Sequence, residues 1–415
     1  MIVLVPQAMV TALPYANDKQ ALKIASLIVC RQIGKCAEER AKKWLKGKPD
    51  PPKKIFAWYR NVTGEEFKKI ASGYRKVVMR LESDKVIQRN GKYSNHKVNP
   101  FSMSYRLHPL LWEQPLNLWN VTQRASKRKF HRTVGNDGGH LNEHYRAGEQ
   151  HLQSFVLTDA DVPRINALCD LAKWPDQARH AVARYFTRSW WSKVDGYGRY
   201  HSPLTLLSKA VRGELKCQGE SVVGFDYANF QPCLLPHQNV VEVPSPERKR
   251  YEELCGEARI YDFMLEQSQH HGTRAEIKDD YLKMLNRKNE NMVKMPLFHV
   301  FRDSFPNYAR ALKVIKQHDH REMARFLQRL EAKVMFDEVV KQFRANTEAP
   351  FFTVHDAIYT EPRNKHLLQK IMTETASKLF LHTQVKQETP TQIPINKQTI
   401  YDGMNLPSGV YCLNG

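Results

Sequence analysis

A chain of 415 residues with 41% apolar and 26% charged side chains has a globular composition and room for roughly two to four domains. No apolar run reaches the ~18 residues that a membrane-spanning helix needs, and the start Met1–Tyr15, broken by Pro6 and Pro14, lacks the basic lead of a signal peptide. The formal charge is +21, concentrated at the front: residues 1–150 carry 28 Lys and Arg against 12 Asp and Glu. A basic front half before a nearly balanced rear points to a polyanionic partner. The seven cysteines include no CxxC pair, which argues against a disulfide framework and a zinc ribbon. A cytoplasmic, reducing location is expected.

In chain order, residues 18–46 have the apolar spacing of a helix, and Pro49, Pro51 and Pro52 mark a boundary near 50. Thr63, Glu65 and Glu66 look like a helix start, with the run continuing to about Ser83. Residues 90–121 show no period and are expected to be irregular. Arg124, Lys127, Arg128, Lys129 and Arg132 then form the densest basic cluster, a candidate nucleic-acid contact, before the flexible stretch Gly135–Gly139. His140 and His144 are four apart, with His151 further on, but the glycine-rich lead-in argues against a zinc site. A helical pattern spans Asp161–Trp191, interrupted at Pro175. Trp190, Trp191, Tyr197 and Tyr200 could stack on bases, although large aromatics are more often core.

Two segments carry chemistry. In SVVGFDYANFQPCLL, residues 221–235, Val222, Val223 and Phe225 form a short strand with Asp226 at its end. In FFTVHDAIYT, residues 351–360, apolar residues flank His355 and Asp356 as in a hairpin with an acidic tip. Two aspartates at strand ends are the minimum equipment for two-metal phosphoryl or nucleotidyl transfer. Arg274 and Lys278, four apart, would share one helix face within reach of a phosphate chain.

In this order the motifs resemble those of the family A DNA polymerases and the related bacteriophage-type single-subunit RNA polymerases, over about residues 195–361. Asp226, Tyr227 and Gln231 match the first palm motif and its sugar-gating position, and Val354, His355 and Asp356 match the third. Gly198, Arg199, Ser202 and Arg212 match GRxxS with its following Arg, Arg274 and Lys278 match the RxxxK of the fingers helix, and Gln328 matches a helix Gln near the primer end. The chain departs from the family at Leu282 and Asn286, where the fingers helix carries aromatics, and at Ala357, where DNA polymerases have Glu.

The resemblance implies an α+β right-hand polymerase: a palm with an antiparallel sheet at 195–240 and 320–415, fingers at 241–319, a thumb-like helical region at 146–194, and a basic, mainly helical nucleic-acid-binding region at 1–145. It implies two Mg2+ ions, with Mn2+ as a substitute, held by Asp226, Tyr227 and Asp356. The nucleotide would meet Tyr227, Gln231, Arg274 and Lys278, and a DNA or RNA primer-template would meet Arg199, Ser202, Arg212, Gln328 and His355. A monomer acting on nucleoside triphosphates is expected. Residues 1–150 contain no DxE cluster, so no proofreading exonuclease is expected. Gln231 and GRxxS favour DNA synthesis, whereas Asp195, Gly198 and Arg199 in a DxxGR arrangement resemble the RNA enzymes, leaving an RNA polymerase or primase as the alternative. A non-catalytic nucleic-acid-binding protein on the same fold is the third reading.

Overall fold

The computed structural model describes residues 2–13, 15–45, 59–91, 103–120, 129–132, 143–157, 162–186, 189–268 and 272–388. Within them the chain is a mixed α+β protein, and none of its helices is long and apolar enough to cross a membrane. The boundary expected near 50, Arg124, Lys127, Arg128, His140 and Cys412 lie outside the described residues; the other six cysteines are free thiols.

The front part is built around helix Lys19–Leu45, whose apolar face (Leu22, Ala25, Ile28, Val29) is fully buried. Two polar residues on that helix tie it to strands: Ser26 Oγ accepts from Leu4 N at 2.9 Å, and Gln32 Oε1 accepts from Leu107 N at 3.1 Å. Backbone groups that would otherwise be buried unpaired are thereby satisfied. Strand Ile2–Pro6 pairs antiparallel with Leu116–Asn120, and Ser104–Leu107 lies between Arg60–Asn61 and Ile87–Arg89.

Three expectations need correction. The segment 90–121 contains two strands, because Tyr105, Leu107, Leu116 and Leu118 are buried against the front core. The helix expected from Thr63 to Ser83 is two helices, Gly64–Ile70 and Tyr74–Ser83, since Ala71 turns extended at φ −151°. Thr63 does cap the first of them in a capping box with Glu66. The helical pattern of 161–191 ends at Tyr185, and Ser189–Val194 is a strand pairing parallel with Lys129–Arg132 and antiparallel with Tyr200–His201.

The rear part carries a four-stranded antiparallel sheet in the order Phe351–Val354, Ala357–Thr360, Val223–Tyr227, Val385–Glu388. All eight residues of the Phe351–Thr360 hairpin strands are buried, as its unbroken apolar and β-branched composition requires. Helix Lys365–Lys378 buries Leu368, Ile371 and Met372, and Tyr227 donates its hydroxyl to Met372 O at 2.8 Å. From 245 to 346 the described residues are helical apart from short connections. Its last stretch runs Glu322–Lys333, a π-helical segment Val334–Val340, and Lys341–Asn346; such π segments occur frequently at functional sites.

Candidate active site

The sheet register brings the two aspartates together. Asp226 pairs with Ala357, the residue that follows Asp356 on the hairpin turn. The turn is tight because His355 takes the left-handed conformation, φ +55°, and stays exposed. Strand Val223–Tyr227 can lie this close to its neighbour because residue 224 is Gly: a Cβ there would sit 2.5 Å from the Tyr359 ring.

The electrostatics record the crowding of like charge. Burial, then Glu331, then Asp226 push Asp356 up to about 7. Asp226 is also raised, first by burial and next by Glu388 against the opposing charges of Lys209, Lys278 and Lys386. Lys278 acts on both aspartates, and it is exposed on helix Arg274–Asn286 with no ion pair to another described residue.

Arg274 is placed differently. It opens the same helix behind the Thr273–Glu276 capping box, but its Nε donates to Asp262 Oδ2 at 3.2 Å, its Nη2 to Ala258 O at 3.3 Å, and its guanidinium lies 5.4 Å from the Tyr261 ring. Of the RxxxK pair, therefore, only Lys278 is seen acting on the aspartates. Lys283 pairs with Asp280 at 2.7 Å, and Lys288 with Glu290 at 3.8 Å.

Tyr227 is turned into the core and stacks on Phe230 at 4.7 Å, so any contact with nucleotide or metal falls to its main chain rather than its ring. Ser202 is fully buried and its main-chain N–H donates to Thr205 Oγ1. Arg212 donates from Nε to Tyr359 OH at 2.9 Å and from Nη1 to Leu207 O at 2.6 Å, and Tyr359 in turn donates to Glu388, which Lys209 holds at 3.2 Å. Gln328 is half-buried on helix Glu322–Lys333, one turn before Glu331. Lys129 and Arg132 lie in a strand whose side chains are not described. Tyr200 is core, and Tyr197 accepts from Arg325 at 3.3 Å, so both have structural partners. His144 lies 3.0 Å from an Arg344 nitrogen and His151 accepts from Phe351 N.

Arg199 reaches the site through a turn. Asp195 Oδ1 accepts from the main-chain N–H of Tyr197 and Arg199, and its Oδ2 meets His201 Nε2 at 2.9 Å, holding Asp195 in the ionised form despite partial burial. Gly198 adopts φ +82° within 3.1 Å of Ala332 Cβ, measured from where its own Cβ would be, so the turn lies on the Glu331 helix. Arg199 Nη2 then donates to Glu331 Oε2 at 2.7 Å.

Glu331 was not foreseen from the sequence. It is 2% exposed, its Oε2 also accepts from Gln231 Nε2 at 3.5 Å, and it is the strongest charge acting on Asp356. A signal was present: Met323, Leu327, Glu331 and Met335 recur every four residues, and the other three are fully buried. A carboxylate inside an apolar stripe needs a buried cation, and Arg199 is that cation.

Among the described residues no three His, Cys, Asp or Glu side chains converge at metal-ligand spacing. The donor set nonetheless suits a hard divalent cation. The charge of Asp226 adds to burial and Glu331 in raising Asp356, so the two partly buried carboxylates are close neighbours, and Mg2+ is commonly held by one or two carboxylates together with substrate phosphates. The fold and site together define an α+β protein with paired carboxylates at one end of an antiparallel sheet, faced by a lysine.

No family model and no curated protein match the sequence. Among solved structures, the POL domain of Pol1 from M. smegmatis, in complex with DNA primer-template and dNTP, aligns over 92% of this chain and 71% of its own, with a TM-score of 0.38 and 12% identity.

Proposed function

We propose that the chain is a template-directed nucleotidyl transferase, a family A-like DNA polymerase without a proofreading exonuclease. The observation that carries this is the placement of Asp226 beside the Asp356 turn with Lys278 in electrostatic range of both. In this reading residues 195–240 and 320–415 are the palm, 241–319 the fingers, 146–194 the thumb-like region and 1–145 a basic region for the primer-template.

Asp226 and Asp356, with the Tyr227 main chain, would hold two divalent cations, Mg2+ or Mn2+. When bound, these supply Lewis-acid activation of the primer 3'-hydroxyl and charge neutralisation on the leaving pyrophosphate. The protein contributes position and charge. Lys278 neutralises the triphosphate by a charge-assisted hydrogen bond, Arg274 braces the start of its helix through Asp262 and Ala258, and His355, whose ring lies beside His201, would contact the primer end.

A second reading, RNA synthesis by a single-subunit polymerase or primase, is favoured by the Asp195–Arg199 turn, which adopts an ordered hydrogen-bonded form. Primer extension with deoxynucleotides and ribonucleotides in parallel, with and without Mg2+, tests both. Cation-dependent extension supports nucleotidyl transfer, and the preferred sugar selects between the readings. Binding of primer-template without extension of either kind would leave the non-catalytic reading.

A further inference from the structure

Glu331 is the most deeply buried carboxylate around the two aspartates, and it joins two elements that are remote in sequence. Its Oε2 receives Arg199 from the 195–199 turn and Gln231 from the short helix Phe230–Leu234, which follows directly on the Asp226 strand. Gln231 is half-buried and makes no other hydrogen bond among the described residues.

A purely structural ion pair would use its polar atoms within the protein. Here Glu331 Oε1, Arg199 Nε and Ser202 Oγ are all buried without a partner among the described residues. Donor and acceptor capacity thus remains unused on both sides of the pair, beside the carboxylates that would hold the divalent cations. A nucleotide with its triphosphate over Asp226, Asp356 and Lys278 would bring its sugar to the helix that begins four residues after Asp226 and carries Gln231. Whether Gln231 meets the sugar as a fixed or a swinging side chain depends on its one anchor, Glu331.

We propose that Glu331 is a positioning residue for sugar discrimination: clamped by Arg199, it holds the Gln231 amide in place, so that the choice between ribose and deoxyribose is set by the pair rather than by Gln231 alone. This rests on the polymerase reading given above. A side chain fixed in advance discriminates better than one that must be ordered at each encounter, because its ordering cost is already met when the substrate arrives.

The test is a double-mutant cycle on the full chain, read as the ratio of kcat/KM for a deoxynucleotide to that for the matching ribonucleotide on one primer-template. Glu331→Gln, which keeps the volume, should shift this ratio about tenfold in the same direction as Gln231→Ala, and the double variant should shift it no further. Equal losses for both sugars, with the ratio unchanged, would make Glu331 a structural residue and overturn the proposal. If Glu331→Gln does not fold, Gln231→Met takes its place: it removes the anchored amide while keeping the length of the side chain, and an unchanged ratio in that variant would likewise overturn the proposal. A wild type that extends with neither sugar would refute the polymerase reading itself, and this proposal with it; that result is distinct from an active enzyme whose ratio does not move.

Discussion

Asp226 stands opposite Ala357 in the antiparallel pair, so the second aspartate, Asp356, is displaced by one residue onto the hairpin turn. Adjacent strands thereby deliver two carboxylates from distant parts of the sequence to one end of the sheet. The small, buried Ala357 occupies the register position itself. Lys209 and, from within the sheet, Lys386 oppose the charge on Asp226, while Lys278, on a helix outside the sheet, acts on both carboxylates.

Lys278 and Arg274 should therefore behave differently, although both belong to the RxxxK spacing. Lys278→Ala is expected to lower incorporation efficiency about tenfold or more for every nucleotide, the scale of one charge-assisted hydrogen bond. Arg274→Ala should cost less in incorporation and more in thermal stability, because Arg274 ties its helix to Asp262 and Ala258. Single-turnover incorporation and thermal unfolding of both variants check this; equal losses of incorporation would restore Arg274 as a triphosphate ligand.

Gly224→Ala should destabilise the sheet by about 1–3 kcal/mol, the usual cost of overpacking a filled site. The added Cβ would meet Tyr359, and that ring has little freedom to move: it stacks on Phe352 at 4.5 Å and is bonded to Arg212 and Glu388. Urea unfolding measures the loss. A neutral result would mean that the Tyr359 ring yields without disturbing its partners.

Lys316 offers a pH test remote from the aspartates. The residue is 2% exposed, its Nζ donates to Met284 O at 2.7 Å with no carboxylate partner among the described residues, and burial pushes its pKa down to about 7. Between pH ~7 and the ordinary value near 10.5 the unfolded chain holds a proton that the folded chain lacks, so this group's contribution to stability rises with pH across that window, and its penalty is full below it. Lys316→Met should stabilise the protein at pH 7 by roughly 1–4 kcal/mol, offset in part by the lost bond to Met284, with the gain shrinking toward pH ~10. Urea unfolding at the two pH values measures it, and a gain that grows with pH would contradict the assignment.

Neutralising Arg124, Lys127 and Arg128 in the full chain should weaken primer-template binding and make its salt dependence shallower. Each lost phosphate contact should reduce the slope of log K against log salt by about 0.7 to 0.9. Fluorescence anisotropy across a salt series reads this directly. An unchanged slope would assign the basic cluster to solvent or to another partner.

What could be read from the sequence follows from how local each signal is. The Asp226 strand and the Phe351–Thr360 hairpin were legible because apolar runs flanking a lone carboxylate mark strand ends, and the Thr63 helix start shows in its capping residues. The strands Ser104–Leu107 and Leu116–Asn120 were not legible, because their stability comes from partners distant in sequence, Arg60–Asn61, Ile87–Arg89 and Ile2–Pro6. Spacing placed Arg274 and Lys278 on one helix but could not show that Asp262 would engage the first and leave the second. Glu331 needed its cation, Arg199, which is 132 residues away in the chain.

The most direct test of the central claim is nucleotide incorporation by Asp226→Asn and Asp356→Asn beside the wild type, with Mg2+ present, on a primer-template whose binding is measured separately. The wild type should extend the primer, and each variant should lose incorporation by several orders of magnitude while still binding the primer-template. Robust extension by either variant would contradict the assignment of the two aspartates as the catalytic pair.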